Sequence, residues 1–391
     1  MKILHLINLQ GFGGAERLFI EYLKSSSFDN YIICTSNEIN ENILPELLDF
    51  NITYSNRFVD SWKLKYPTFI RSIVLNKKIE KIKPNLTIVW DFVPKLFKKP
   101  RHSALVYYDH GCSWQYQKNK KVLRFFSMLD AGICVSHASK RIIQLRFNYK
   151  NPLYTIVNKL NIKQVKETKK LVSDEPIILG TASRLVGLKG IGVSVLTLAE
   201  LINRGVKCKL LIAGVGEVKA ELENLVKQLK MESYVDFLGY QSDMTLFYQN
   251  IGIYMSTSVK ETCSLSCIES LAHAVPVVFS IVDGQPEAVK NGYCGIGIKP
   301  TVSIDQHKKL TGIDTDFPHQ VYDPINDQLT EPKLVSHIDC ADAVERLLKD
   351  PSLYESMSKN ALEWSKESMN YDKFLNEFED ALREIAKPSL S

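Results

Sequence analysis

Short apolar runs recur along the chain, each closed by glycine or small polar residues and followed by a stretch with apolar positions every three or four residues. Unbroken apolar runs read as buried strands and the 3.6-residue period reads as helix. On that basis residues 2–8 form a strand, followed by a helix to about residue 24. Strands follow at 31–35, 86–90, 104–108, 131–136 and 156–158. Helices are expected at 43–50 and 68–81, with another opening at Ser136-His137-Ala138-Ser139. The alternation then restarts. Strands at 177–181, 209–214, 235–238, 251–256 and 276–279 are separated by helices at 192–203, 217–229, 244–249 and 265–274. Helices at 341–348 and from 353 to about 384 close the chain. Strand and helix in alternation predict parallel sheets covered by helices, an α/β protein.

The restart sets the domains. Residues 1–165 form a first Rossmann-like domain, the polar stretch 166–176 a linker, and 177–370 a second domain, with 371–391 a last helix that crosses back to the first. Residues 299–338 are polar and break the alternation, as an insertion would.

Composition narrows the class. A chain of 391 residues with 45% hydrophobic and 24% charged residues suits a globular protein. No apolar run is long enough to span a membrane, and the start reads as a strand, not as a signal peptide. The eight cysteines are scattered without a Cys-x-x-Cys pair, so reduced thiols are expected and no zinc site. The net charge of +5 divides unequally: +13 through residue 163 and −8 beyond it. Lysines concentrate at Lys77, Lys78, Lys81 and Lys83, at Lys98 and Lys99 beside Arg101, and at Lys118, Lys120 and Lys121. A basic first half favours an anionic acceptor or surface. No nucleic-acid motif accompanies these lysines, so no nucleic-acid partner is expected.

Candidate chemistry falls on the loops after strands, where open α/β sheets bind ligands. Glu261 and Glu269 stand eight positions apart, the first in a loop after a strand and the second inside the following helix. Thr262 or Ser264 is placed to cap that helix, whose first free N–H groups, around Ser264 and Leu265, suit a phosphate. Glu269 could accept hydrogen bonds from vicinal hydroxyls such as those of a ribose. Arg184 and Lys189 lie between a strand and a helix, and both supply donors to phosphate oxygens. Gly13 and Gly14 follow the first strand and permit close backbone approach. His110 ends the strand at 104–108 as Asp109-His110-Gly111. Gly214 with Gly216, and Gly239 with Tyr240, end two later strands.

These segments resemble the retaining GT-B glycosyltransferases of family 4. The Glu-x7-Glu pattern there runs E-G-F-G-L-x-x-x-E-A-M-A-x-G-x-P-V-V, and Glu261, Leu265, Glu269, Ala272 and Pro276-Val277-Val278 are in register with it. Thr262, Ser264 and Ala274 stand where the family has glycine, which would narrow the sugar pocket. Gly13-Gly14-Ala15-Glu16 resembles the family's opening G-G-A-E, Arg184 to Gly190 its G-R-L-x-x-x-K-G, and Asp283 to Glu287 its G-G-x-x-E turn. The usual Asn-Gly-x-Asp is reduced to Asn158-Lys-Leu-Asn161.

The resemblance implies two facing Rossmann-like domains with an interdomain cleft. It implies a retaining, metal-independent hexosyl transfer, without cofactor, from a nucleotide-diphosphate sugar, UDP favoured, to a glycan or glycolipid of a bacterial surface polysaccharide. It assigns donor contacts to Gly13, Gly14, Arg184, Lys189, Gly214, Gly239, Tyr240, Ser264, Leu265 and Glu269. It places His110, Glu261, Arg184 and Lys189 at the reacting centre, His110 against the transferred sugar, so that closure assembles the site. The expected location is cytoplasmic, with peripheral contact at the inner face of an anionic membrane through the basic domain. A sugar-nucleotide epimerase or hydrolase on the same fold, or a nucleotide-sugar-binding scaffold subunit, are the alternatives.

Overall fold

The computed structural model describes residues 1–11, 13–159, 164–172 and 175–387. Phe12 of the first glycine loop, Asn161 of the reduced Asn-x-x-Asn segment and residues 173–174 of the expected linker lie outside the described residues. The chain divides into two units, Met1–Val157 joined by the chain from Asp372 on, and Asn158–Tyr371.

The first unit is built on β1 (Lys2–Ile7), β2 (Asp29–Cys34), β3 (Ile52–Tyr54), β4 (Leu86–Trp90), β5 (Ala104–Asp109), β6 (Ala131–Cys134) and β7 (Leu153–Thr155). They are ordered β3-β2-β1-β4-β5-β6-β7, and every pairing is parallel. β1 runs beside β2 from Lys2↔Asp29 to Ile7↔Cys34. Helices cover both faces of a parallel sheet, so its central strands are apolar on both sides, as β1, β4 and β5 are. Leu4, Leu6, Val89, Leu105 and Tyr107 pack with Phe125 and Phe126 in one core. The order reverses direction between β1 and β4, a topological switch point.

The last helix, Tyr371–Ala386, belongs to this unit. Phe378 is fully buried and packs on Tyr22, Trp90 and Tyr108. Glu379 accepts hydrogen bonds from Ser27 N at 2.9 Å, Ser27 Oγ at 2.6 Å and Ser26 Oγ at 3.1 Å. The sequence suggests one helix from 353 to 384, whereas two form, Pro351–Ser368 and Tyr371–Ala386. They serve different cores, and the interruption at Met369–Asn370 lets the chain leave one for the other.

Other elements differ locally. The helix expected at 43–50 is a single 3₁₀ turn, Leu44–Leu47, because Pro45 donates no hydrogen bond and confines itself to a first turn. The strand expected at 156–158 is β7, three residues earlier. Its ladder with β6 runs from Leu153 to Thr155 and ends with Ile156 N donating to Cys134 O.

The second unit holds β8 (Ile177–Ala182), β9 (Cys208–Ala213), β10 (Val235–Gly239), β11 (Ile253–Ser256), β12 (Val277–Ser280) and β13 (Gly295–Ile298). The order is β10-β9-β8-β11-β12-β13, again parallel throughout, with its switch point between β8 and β11. Residues 164–172 do not hang free. Val165 N donates to Ala272 O at 3.0 Å, Lys169 N to Ser358 Oγ at 2.7 Å, and Leu171 packs on the core.

The irregular segment 299–338 folds onto this unit as well. It forms two small antiparallel ribbons, Val302–Ser303 with Lys333–Leu334 and Val321–Asp323 with Gln328–Thr330, around the helix Ile304–Thr311. A Ser303–Gln306 capping box starts that helix and Gly312, left-handed at φ +70°, ends it.

Candidate active site

The switch point of the second sheet brings together the two loops that the sequence singles out. One follows β8 and carries Arg184 and Lys189; the other follows β11 and carries Glu261. They are laced by backbone hydrogen bonds. Val259 N donates to Leu188 O at 2.9 Å, and Thr257 Oγ1 donates to Gly190 O at 2.9 Å. Gly190 makes this approach possible. It is left-handed at φ +62°, and a Cβ there would lie 2.1 Å from Thr257 O.

The lacing sets the central contact. Lys189 Nζ lies 2.6 Å from Glu261 Oε2, with both side chains largely shielded. Arg184 is exposed and enters no ion pair among the described residues. Gly214, after β9, is at φ +131°, where a Cβ would lie 1.9 Å from Ser183 O. Gly214 N donates to Gly239 O at 2.7 Å, tying the ends of β9 and β10 to the Arg184 loop. Tyr240 is exposed beyond β10.

Ser264 occupies the N-cap position of helix Leu265–Ala272, but it does not cap. Its hydroxyl lies 3.0 Å from Cys267 Sγ, and Thr262 makes no cap either. This corrects the capping expected of these residues. With φ −79° and ψ 81°, Ser264 lacks the extended conformation that aims a cap oxygen at the N–H groups. Both side chains are buried, Ser264 at 1% and Thr262 at 9% exposure. The serine that replaces a family glycine is therefore turned onto its own helix.

Glu269 lies one turn into the helix. Tyr248 Oη donates to its Oε2 at 2.8 Å, and Oε1 takes no partner among the described residues. Burial raises the pKa of this carboxyl, and the Tyr248 hydrogen bond acts in the opposite direction. The helix ends at Ala272, and Ala274 turns the chain at φ +60°, a left-handed position that glycine fills in the family pattern.

A residue without an assigned role in the sequence holds the loop after β11. Asp283 Oδ2 accepts from Glu261 N at 3.0 Å and its Oδ1 from Tyr322 N at 2.7 Å, while Asp283 N donates to Tyr322 O. Gly284 N donates to Glu261 O at 2.9 Å. The fully buried carboxylate thus clamps the Glu261 loop to the 299–338 segment. Thr315 of that segment also lies against Gly187, where a Cβ would fall 1.8 Å from its Oγ1. The segment is a wall of the site. Its only signal in sequence is an Asp at the head of a glycine turn.

In the first unit, Gly13 is the N-cap of helix Gly14–Ser25 and lies against the Glu16 carboxyl. His110 follows β5 and stacks on Trp90 with centroids 5.6 Å apart, while the Tyr108 ring lies tilted against it at 4.2 Å. Burial lowers its pKa to about 3, so the ring is neutral, and its Nε2 is buried without a hydrogen-bond partner among the described residues. Asp91, left-handed at φ +56°, accepts from His110 N at 2.8 Å and Cys112 N at 2.9 Å. Asp109 accepts from Tyr107 Oη, Ser113 N and Ser113 Oγ. No sequence motif marks Asp91 or Asp109 as the buttress of the His110 turn.

Two parallel sheets of this kind, each with its ligand loops at a switch point, define a GT-B fold. Residues 163–313 match the family described as glycosyl transferases group 1. The match covers the two candidate loops of the second unit. A glycosyltransferase structure from Rickettsia africae superposes with TM-score 0.74 at 17% identity, covering 99% of each chain. The structure of Anabaena HepE in complex with UDP and glucose superposes with TM-score 0.70 at 16% identity, covering 98% of this chain and all of that one. The alpha-monoglucosyldiacylglycerol synthase of Acholeplasma laidlawii is 24% identical over 219 residues, 55% of this chain and 53% of that protein. The chain covers 33%, 41% and 53% of the length of the first curated relatives it matches.

Proposed function

We propose that the protein is a retaining glycosyltransferase that moves a sugar from a UDP-sugar to a glycan or glycolipid acceptor. The observation that carries this reading is the Lys189–Glu261 contact at the switch point, flanked by Glu269 and by Arg184, which is unpaired among the described residues. As the sugar leaves, negative charge builds on the diphosphate. Arg184 and Lys189 are the groups to stabilise it, and two cations give the reaction an electrostatic route that needs no metal. A diphosphate would draw Lys189 from Glu261. The freed carboxylate would then face the sugar, binding its hydroxyls or the positive charge at the anomeric carbon. Glu269 Oε1 remains available for a ribose hydroxyl. The neutral His110, with its unpartnered Nε2, suits a hydrogen bond to a sugar hydroxyl better than a cationic role.

Ser264 favours this reading over a scaffold subunit without turnover. Its hydroxyl is held 3.0 Å from Cys267 Sγ, against its own helix. UDP is favoured as donor by the HepE complex, and a glycolipid acceptor by the Acholeplasma synthase. Peripheral contact with an anionic membrane is part of the proposal. Phe58, Trp62, Leu64 and Phe69 are exposed within one stretch of the first unit that also carries Lys63 and Lys65. No helix among the described residues is long and apolar enough to cross a membrane.

The test is a thermal-shift screen with UDP, GDP, ADP and CMP and their sugars, with and without EDTA, on wild type and Lys189→Ala. A ligand bound only by the folded state raises the melting temperature. UDP or its sugar should stabilise the wild type regardless of EDTA and lose most of that effect in the variant. Stabilisation by no nucleotide, or an equal shift in both proteins, would overturn the donor-site assignment.

A further inference from the structure

A cavity of about 230 Å³ opens at the carboxyl ends of β2, β3 and β4 in the first unit. Thr35 follows β2, Ser55 and Asn56 follow β3, and residues 92–95 follow β4. The place has the same relation to its sheet that ligand sites have in open α/β proteins. Three cations line it: Arg71 at the start of helix Arg71–Ile82, Lys95 in the loop after β4, and Lys121 in helix Lys120–Met128. No carboxylate among the described residues lines it.

Some cations elsewhere on this basic unit are matched by carboxylates. Lys78 reaches Tyr54 O and Asp60, Lys99 reaches Asp130, and Lys63 reaches Glu38. Lys95 and Lys121 enter no ion pair among the described residues, and the Arg71 Nε donates only to Tyr66 O. Asn56 adds a second observation. Its side-chain oxygen is buried without a hydrogen-bond partner among the described residues, a state that costs free energy unless a ligand or water completes it. An amide rotated about its last bond presents N–H donors in place of that oxygen.

We propose that this cavity binds a phosphoryl group, held by Arg71, Lys95 and Lys121 with Asn56 and the Ser55 hydroxyl as neutral donors. A phosphate monoester carries close to two negative charges and three acceptor oxygens, which fits three converging cations better than a single carboxylate does. That this phosphoryl group belongs to the sugar acceptor rests on the transfer reading above; the anion site itself does not. The acceptor would then be a phosphate-bearing one, either a phosphorylated soluble saccharide or a phospholipid-type headgroup.

The test is calorimetric titration of the full chain with two probes, inorganic phosphate and dihexanoylphosphatidic acid kept below its micelle concentration. The proteins are wild type, Lys95→Ala/Lys121→Ala, and Lys77→Ala/Lys118→Ala, which removes the same charge outside the cavity. Equal melting temperatures establish that all three fold. Each cation removed from the site should weaken binding about tenfold, so the cavity variant should lose about a hundredfold for whichever probe binds. The control should change little. A lipid probe bound about tenfold more tightly than inorganic phosphate points to a headgroup, and equal affinity points to a soluble phosphate ester. No binding of either probe below about 10 mM, or an equal loss in the control, would overturn the site. UDP titrated into the cavity variant separates the two readings. Retained UDP binding with lost phosphate binding supports both, whereas absent UDP binding in the wild type removes the transfer reading and leaves the anion site standing.

Discussion

Asp91 shows how a single residue can be set against the rest of its surroundings. Its carboxyl accepts two backbone hydrogen bonds at the His110 turn, but it is drawn out of water and lies near the buried Asp109. Burial first, and the Asp109 charge second, raise its pKa from 3.8 to about 7. A raised pKa means that the folded state favours the protonated acid. That contribution to stability is full below about pH 4 and is lost as pH rises through 7. Asp91→Asn keeps an acceptor oxygen for both N–H groups and cannot ionise. The variant's stability should therefore gain on the wild type between pH 5 and 8, by something on the order of 1–3 kcal/mol, with no further change below about pH 4. Denaturant titrations across that range would show it, and parallel curves would place the charge burden elsewhere. His110 follows the same logic from the other side. Its burial keeps the ring neutral, which the residue type alone does not reveal.

Among the elements, the last helix carries the clearest energetic prediction. Its hydrophobic face, with Phe374, Phe378 and Leu382, is buried in the core of the first unit. Phe378 touches residues from β4, β5 and the first helix. Phe378→Ala should destabilise by about 3–5 kcal/mol, the transfer cost of the ring plus that of the cavity left behind. Equilibrium unfolding in urea measures this directly, and a cost below about 1 kcal/mol would mean that the helix is not integral to the unit. The helix pattern from 353 to 384 is readable in the sequence, but its division is not. Residues 369–370 carry no strong breaker, and the break is imposed by the two cores that the flanking helices serve. The turn at Leu44–Leu47 is the opposite case, since Pro45 stands in the sequence and shortens the element locally.

At the scale of the whole molecule, charge and apolar exposure fall on the same unit. The chain carries +13 through residue 163 and −8 beyond it. Phe69 is 79% exposed and Trp62 62%, in the basic part. If these residues dock on a lipid surface, binding to anionic vesicles should combine a salt-sensitive and a salt-resistant part, because exposed charges are screened while inserted aromatics are not. Sedimentation with phosphatidylglycerol vesicles should fall steeply from low to high salt, and Trp62→Ala/Phe69→Ala should weaken what remains. Retention unaffected by salt in both proteins would count against the membrane contact.

The sequence by itself determined the alternation of strand and helix, the two parallel sheets it implies, and the loops that carry Arg184, Lys189, Glu261 and Glu269. Those features depend on local periodicity and on where glycines fall, which a linear reading captures. Only the tertiary structure decided that Lys189 and Glu261 meet, because β8 and β11 are neighbours in space across the switch point although more than seventy positions apart. It alone placed Asp283 under Glu261 and made the 299–338 segment a wall of the site, through hydrogen bonds to backbone groups that no residue pattern announces. It also turned Ser264 away from its expected cap and set Lys95 and Lys121 around a cavity that no carboxylate lines among the described residues. Such facts follow from which distant groups share a volume, and burial and pairing exist only once the chain has folded.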